Sequence, residues 1–201
     1  YFFEHDMVVI ERVNGLKQAR VTNLKSNNTY SLDFPEAVYH FWLGANRDFH
    51  STKLRLTYTS LTTPDTIFDY DLSDGSRTQL KQKPVLGGYT STDYHTERIL
   101  ATASDGTSVP ISLVYKRGVR KAGGNPCLLK SYGSYGASTD PYFSSNVLSL
   151  LDRGYIYALG HIRGGGEMGR PWYDDGKLMN KKNTFTDFIA CAEHLIAEGY
   201  T

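Results

Sequence analysis

The feature that most constrains this chain is a change of period along its length. Up to about Gln82, apolar and polar residues alternate in short runs broken by turns, whereas beyond Asn125 short apolar runs alternate with helical repeats. A period of two builds pleated strands, and strand–helix alternation builds a sheet with parallel neighbours. The chain must therefore fold as two architectures in series.

In the first part, "MVVIERV" runs from Met7 to Val13 into Asn14-Gly15, a pair suited to the positive φ of a two-residue hairpin turn. "ARVTNL" and "TYSLDF" continue the meander around Ser26 to Asn28. "KLRLTYTSL" alternates strictly, with Leu54, Leu56 and Tyr58 on one face and Lys53, Arg55 and Thr57 on the other. "TIFDYDL" leads to a second hairpin pair, Asp74-Gly75. Strands this short and regular suggest propeller blades or part of a sandwich, without a repeat crisp enough to count blades.

Proline and paired glycines punctuate "KQKPVLGGY", Lys81 to Tyr89, and the boundary falls there, giving domains 1–83 and 84–201. Next come a hairpin, "TERILATAS" and "TSVPISLVY" around Asp105-Gly106, and a polar, glycine-rich link from Lys116 to Asn125. "PCLLKSY" reads as a strand, "FSSNVLSLLDRG" as a helix stopped by Gly154, and "YIYALGHI" as a second strand. The last element, "NTFTDFIACAEHLIAEG", has Thr184 and Asp187 in capping-box positions and ends at Gly199. Its expected apolar face carries Phe185, Phe188, Ile189, Ala192, Leu195 and Ile196.

A hydrophobic content of 40% with 13% aromatics argues for a packed globular protein. The formal net charge is +1, with both signs interleaved, so there is no electrostatic footprint for nucleic acid or for a membrane surface. No apolar run reaches the length of a membrane span. Cys127 and Cys191, the two cysteines, read as buried small hydrophobes in a reducing, cytoplasmic compartment. The histidines are scattered, and no metal or cofactor is expected. The chain opens at Tyr1, with Met7 its first methionine, which reads as a processed product or a piece of something longer.

Sites in open α/β sheets form at the carboxyl ends of the strands, where this chain has two loops, "SYGSYGAS" and "RGGGEMGR". The second lacks the Gly-Lys-Ser/Thr ending of a phosphate-binding loop, and Pro171 and Trp172 interrupt any direct opening into a helix. Gly164, Gly165 and Gly166 therefore read as structural support, letting the backbone turn sharply and approach its neighbours. Arg163 and Glu167 flank them, expected to pair with each other or with residues beyond Thr201. His161, at a strand end, and His194, on the polar side of the last helix, are assigned to structure.

"SYGSYGAS", "ALGHIRGGGEMGRPWYDDGK" and "KKNTFTDFIACAEHLIAEGYT", in that order and spacing, resemble the prolyl oligopeptidase family of serine peptidases, most closely its oligopeptidase B branch. "YTSTDYHTERILATASDGTSVPISLVYKR" is similar to the entry of that family's catalytic domain, and the strand-rich start to the end of its β-propeller. The resemblance implies a fragment of a larger two-domain protein: the C-terminal blades of a propeller, all β, then the N-terminal part of an α/β-hydrolase domain. Such hydrolases place serine, acid and histidine in that order, the serine in a G-x-S-x-G elbow. No G-x-S-x-G occurs here, so the triad is expected beyond Thr201 and this chain alone is expected to be inactive and poorly soluble.

The same resemblance assigns roles within the chain. Tyr132 matches a tyrosine whose hydroxyl stabilises the tetrahedral intermediate, although spacing alone favours an ordinary loop aromatic. The family's Tyr-Gly-Tyr-Gly is here Lys130-Ser131-Tyr132-Gly133, so only the second pair is kept. Tyr135 aligns with an aromatic lining the pocket for the residue before the scissile bond, with core packing as the alternative. Asp140 falls where basic-specific relatives carry an acid that favours a second basic residue, or it is a turn former; Tyr142 replaces a second acid. The implied substrates are short peptides cleaved after arginine or lysine. A proline-specific relative and a non-catalytic binding module are the alternatives, and "GSYGAS" in place of a Gly-Gly-Phe pattern favours the basic-specific branch.

Overall fold

The computed structural model describes residues 1–201. β1 (Asp6–Val13) and β2 (Leu16–Asn23) pair antiparallel without a break, from Asp6 opposite Asn23 to Val13 opposite Leu16. That register leaves only Asn14 and Gly15 to turn, at φ 51° and 81°, the backbone that Asn-Gly adopts with least strain. β3 (Thr29–Ser31) completes a three-stranded sheet.

A second sheet follows as a four-stranded antiparallel meander: β4 (Tyr39–Leu43), β5 (Lys53–Ser60), β6 (Thr66–Asp71) and β7 (Arg77–Gln82). Leu54, Leu56 and Tyr58 are buried, as the alternation of β5 requires, in one core with Phe41 and Tyr70 of the same sheet and Val8 and Val21 of the first. The sequence reading did not include β4 or β7. In β4 three successive residues are buried, so the strand lacks alternation. Every residue of β7 is exposed; it is a polar edge strand held by its ladder to β6, and a charged edge discourages further pairing.

The third sheet has the order β10-β11-β9-β8. β8 (Tyr94–Thr102) and β9 (Ser108–Lys116) form the expected hairpin, with Gly106 at φ 86°. β10 (Cys127–Lys130), α1 (Ser145–Leu151) and β11 (Ile156–Gly160) form a βαβ unit, Cys127 to Lys130 lying parallel to Ile156 to Leu159. Along β9, Val109, Ile111 and Leu113 join a core with Cys191 and Leu195 of α3 (Lys182–Ala197), while Val114 packs with Leu151 of α1. Since alternate strand residues face opposite ways, α3 and α1 cover opposite faces of the sheet. Val38 and Leu61, from the second sheet's side, share the α1 cluster and tie the two parts together.

Four expectations change here. The apolar stripe of α3 faces outward at Phe185, Ile189 and Ile196, which are 61%, 54% and 62% exposed. The buried line instead runs through Thr184, Asp187, Ala190, Cys191 and Leu195, because Asp187 has a buried partner across the loop. No capping box forms either: α3 starts at Lys182, and the Thr184 hydroxyl donates to the carbonyls of Arg163 and Gly176 at 2.8 and 3.2 Å. Pro171 opens rather than prevents a short helix, α2 (Arg170–Asp174), since a first-turn proline sacrifices no hydrogen bond. Of the cysteines, Cys191 is buried and Cys127 only half-buried, both as free thiols.

Candidate active-site edge

Two loops leave the carboxyl ends of the parallel pair: one from Ser131 to Ser144 after β10, the other from His161 to Gly169 after β11. They are joined along their backbones. The Gly136 amide donates to Gly164 O at 3.0 Å, and the Gly166 amide to Ala137 O at 3.3 Å. Such an approach leaves no room for side chains. A Cβ on Gly164, at φ 95°, would overlap the Gly133 carbonyl oxygen, and one on Gly166 would overlap that of Gly136.

The flanking charges do not pair with each other. Arg163, 5% exposed, donates from Nε and Nη2 to the fully buried Asp187 at 2.9 and 2.6 Å, and its backbone amide reaches the same carboxylate at 2.9 Å. Its Nη1 donates to Asp105 in the β8–β9 turn at 2.6 Å, which holds the Asp105 carboxyl down at about 2. One guanidinium thus clamps the glycine loop to α3 and to the hairpin. Glu167, also buried, accepts from the Thr139 amide at 2.7 Å and so ties the second loop to the first. His161 is buried, with Nε2 2.7 Å from the Ser112 hydroxyl.

Tyr132 lies just past β10 and is 54% exposed, so its phenol projects from the sheet edge. The next carbonyl, Gly133 O, accepts from Lys181 Nζ at 2.6 Å, and Lys181 also reaches Ser134 Oγ at 2.8 Å. Tyr135 is 86% exposed with φ 57°, a left-handed conformation rare for a bulky residue, and it borders a hollow of about 350 Å³ with Tyr173, Lys177 and Lys181.

Asp140 and Tyr142 sit further along the first loop, against the N-terminal sheets. Asp140 lies 2.9 Å from Arg12 Nη2 of β1 and 3.2 Å from His40 Nδ1 of β4. Burial pushes its carboxyl up, but His40 and the Arg12 charge outweigh that and hold it below the usual range. The Tyr142 ring packs 4.9 Å from His40. Sequence reasoning missed Arg12, His40, Lys181 and the partnership of Asp187. Asp187 carried a signal, its spacing of three from Thr184, but it pointed to a capping box; Arg12 looked like any outward residue of an alternating strand.

The family described as prolyl oligopeptidase, N-terminal beta-propeller domain, matches residues 1–83, and the prolyl oligopeptidase family itself matches residues 141–201. The chain is 50% identical over 199 residues to dipeptidyl aminopeptidase BI of Pseudoxanthomonas mexicana, covering 98% of this chain and 27% of that protein. It is 38% identical over 201 residues to protease 2 of Moraxella lacunata, covering all of this chain and 29% of the other. Among solved structures, oligopeptidase B from Trypanosoma brucei with covalently bound antipain superimposes over the whole chain with a TM-score of 0.88 and 43% identity, covering 30% of that protein. The chain thus spans less than a third of the length of these relatives.

Proposed function

The chain belongs to the prolyl oligopeptidase family, and from that premise we propose that the full-length protein is a serine oligopeptidase that cleaves short peptides after arginine or lysine. Its front part would be the end of a β-propeller and its 84–201 part the start of the hydrolase domain. Nucleophile, acid and base come from residues beyond Thr201, and residues 1–201 alone are inactive. The single observation carrying this reading is the match of the whole chain, at a TM-score of 0.88 and 43% identity, to oligopeptidase B from Trypanosoma brucei; Tyr132, exposed just past β10, is the residue it brings to the sheet's carboxyl edge.

In this mechanism the serine attacks the scissile carbonyl, and the Tyr132 hydroxyl donates to the oxygen on which negative charge develops. A donor fixed in advance lowers the barrier because it does not reorient as the charge appears. Tyr135 offers its exposed ring to a guanidinium of the substrate. Arg163 and the three glycines hold the two loops together and do not touch the substrate. The free thiols of Cys127 and Cys191 favour a cytoplasmic setting.

In the full-length protein, Tyr132→Phe is expected to lower kcat about a hundred- to a thousandfold with little change in KM. An unchanged kcat removes the assignment. A serine-directed phosphonate probe is expected to label the full-length protein and not residues 1–201; labelled, peptide-cleaving 1–201 material would refute the division of labour. A second reading, release of dipeptides from peptide N-termini, is favoured by the 50% identity to dipeptidyl aminopeptidase BI. Blocking the substrate's amino group separates the two, abolishing turnover only in the second.

A further inference from the structure

We propose that Lys181 is a positioning residue for the chemical step: its ammonium holds the carbonyl that follows Tyr132 and so fixes where the Tyr132 hydroxyl stands as charge develops on the scissile carbonyl oxygen. This rests on the role given to Tyr132 above and adds to it a residue from the start of α3.

Lys181 Nζ donates to Gly133 O at 2.6 Å and to Ser134 Oγ at 2.8 Å, both in the loop that leaves β10. Gly133 itself has no slack. At φ 64°, a Cβ there would lie 2.6 Å from Ile162 Cγ1 and 2.7 Å from Thr184 Cγ2, so packing holds its Cα while the ammonium holds its oxygen. The base that carries Lys181 is equally fixed. Asn180 Nδ2 donates to Asp174 O at 3.3 Å and Asn183 Nδ2 to Asp175 O at 2.9 Å, tying the chain to the end of α2 on both sides of Lys181.

The position is unfavourable for a lysine on local grounds. It is the N-terminal cap of a 16-residue helix, where the dipole favours an anion; Lys182 follows it, and no acid stands in the first turn. A serine, threonine, aspartate or asparagine would cap a free amide there, whereas Lys181 makes no cap bond. Helix formation does not account for the residue, and the contact with Gly133 does. A residue that breaks a local rule in this way marks a functional position. The phenolic oxygen of Tyr132 stands at the far end of its ring from the backbone, so a small backbone rotation carries it about 1 Å, and a misplacement of that size costs about a hundredfold in rate.

The test is a double-mutant cycle in the full-length protein, read with an N-terminally blocked fluorogenic arginine amide. Lys181→Met, which keeps the apolar stem and removes the donors, is expected to lower kcat about ten- to a hundredfold with KM within about twofold of wild type. In a Tyr132→Phe background the same change is expected to cost less than about twofold, because no hydroxyl is left to position. A folded Lys181→Met with wild-type kcat overturns the proposal. So does a rise in KM alone, or a loss that adds in full to that of Tyr132→Phe, which is what a general weakening of the loop would produce. If Lys181→Met does not fold, Lys181→Gln goes through the same cycle, and full additivity there overturns the proposal. Tyr132→Phe by itself reads the parent assignment. If its kcat is unchanged, both readings fall; if its kcat drops and the cycle is additive, only the role of Lys181 falls.

Discussion

Removing the Asp187 carboxylate tests how the glycine loop is held. In Asp187→Ala, Arg163 loses the partner of its Nε, its Nη2 and its backbone amide, and only the Asp105 contact remains. Three charge-assisted bonds at ~1.5–3 kcal/mol each would sum to as much as ~9 kcal/mol. The smaller figure for breaking a buried pair, about 3–5 kcal/mol, is the better guide, because Asp105 still neutralises the guanidinium and bonds to one carboxylate are not additive. Asp105→Ala provides the contrast. Its side chain is 45% exposed, where an ion pair contributes no more than about 1 kcal/mol. Urea unfolding of the full-length protein can be followed at Trp172 in a Trp42→Phe background, since Trp172 is buried and donates from Nε1 to His161 O at 3.1 Å, inside the region affected. Against a typical total of about 5–15 kcal/mol, the Asp187 variant should show a large drop in midpoint and the Asp105 variant a small one. Equal shifts for the two, or an Asp187→Ala midpoint within about 1 kcal/mol of wild type, would refute the clamp.

Gly164→Ala is expected to cost at least about 2 kcal/mol, because it adds left-handed strain and drives a methyl into the Gly133 carbonyl. Gly118→Ala, at φ 76° but facing open space, should cost about 1 kcal/mol and serves as the control in thermal melts; equal losses would mean that loop contact is not what requires glycine at 164. The depressed Asp105 carboxyl also predicts a pH dependence. Arg163 holds it ionised down to about 2, so its contribution is complete above the unfolded value of about 4 and is lost as pH falls through about 2. The stability deficit of Asp105→Asn relative to wild type should be constant above that window and shrink within it, and a deficit that persists undiminished at pH 2 contradicts the pairing.

Local chemistry decided a good deal of this protein. The Asn14-Gly15 and Asp105-Gly106 turns, the buried face of β5 and the strand–helix–strand order after Asn125 all follow from neighbours a few residues apart, as does the helix stop at Gly154. The run of three glycines also announced a close backbone approach before any partner was known. Tertiary structure alone supplied the partners. Arg163 reaches Asp187 across 24 residues and Asp105 across 58, and Arg12 meets Asp140 across 128, separations at which no periodicity in the chain carries information. It also set α3 so that Asp187 meets Arg163 while Phe188 and Leu195 of the apolar stripe pack in the core and Phe185, Ile189 and Ile196 face away from these residues. The physical reason is that a buried ion pair forms only where the fold brings both partners together, and the 2.6–2.9 Å contacts of Arg163 with Asp187 fix which side of α3 meets the glycine loop. Periodicity measures only the hydrophobic part of the interior; the electrostatic part exists only once the chain has folded.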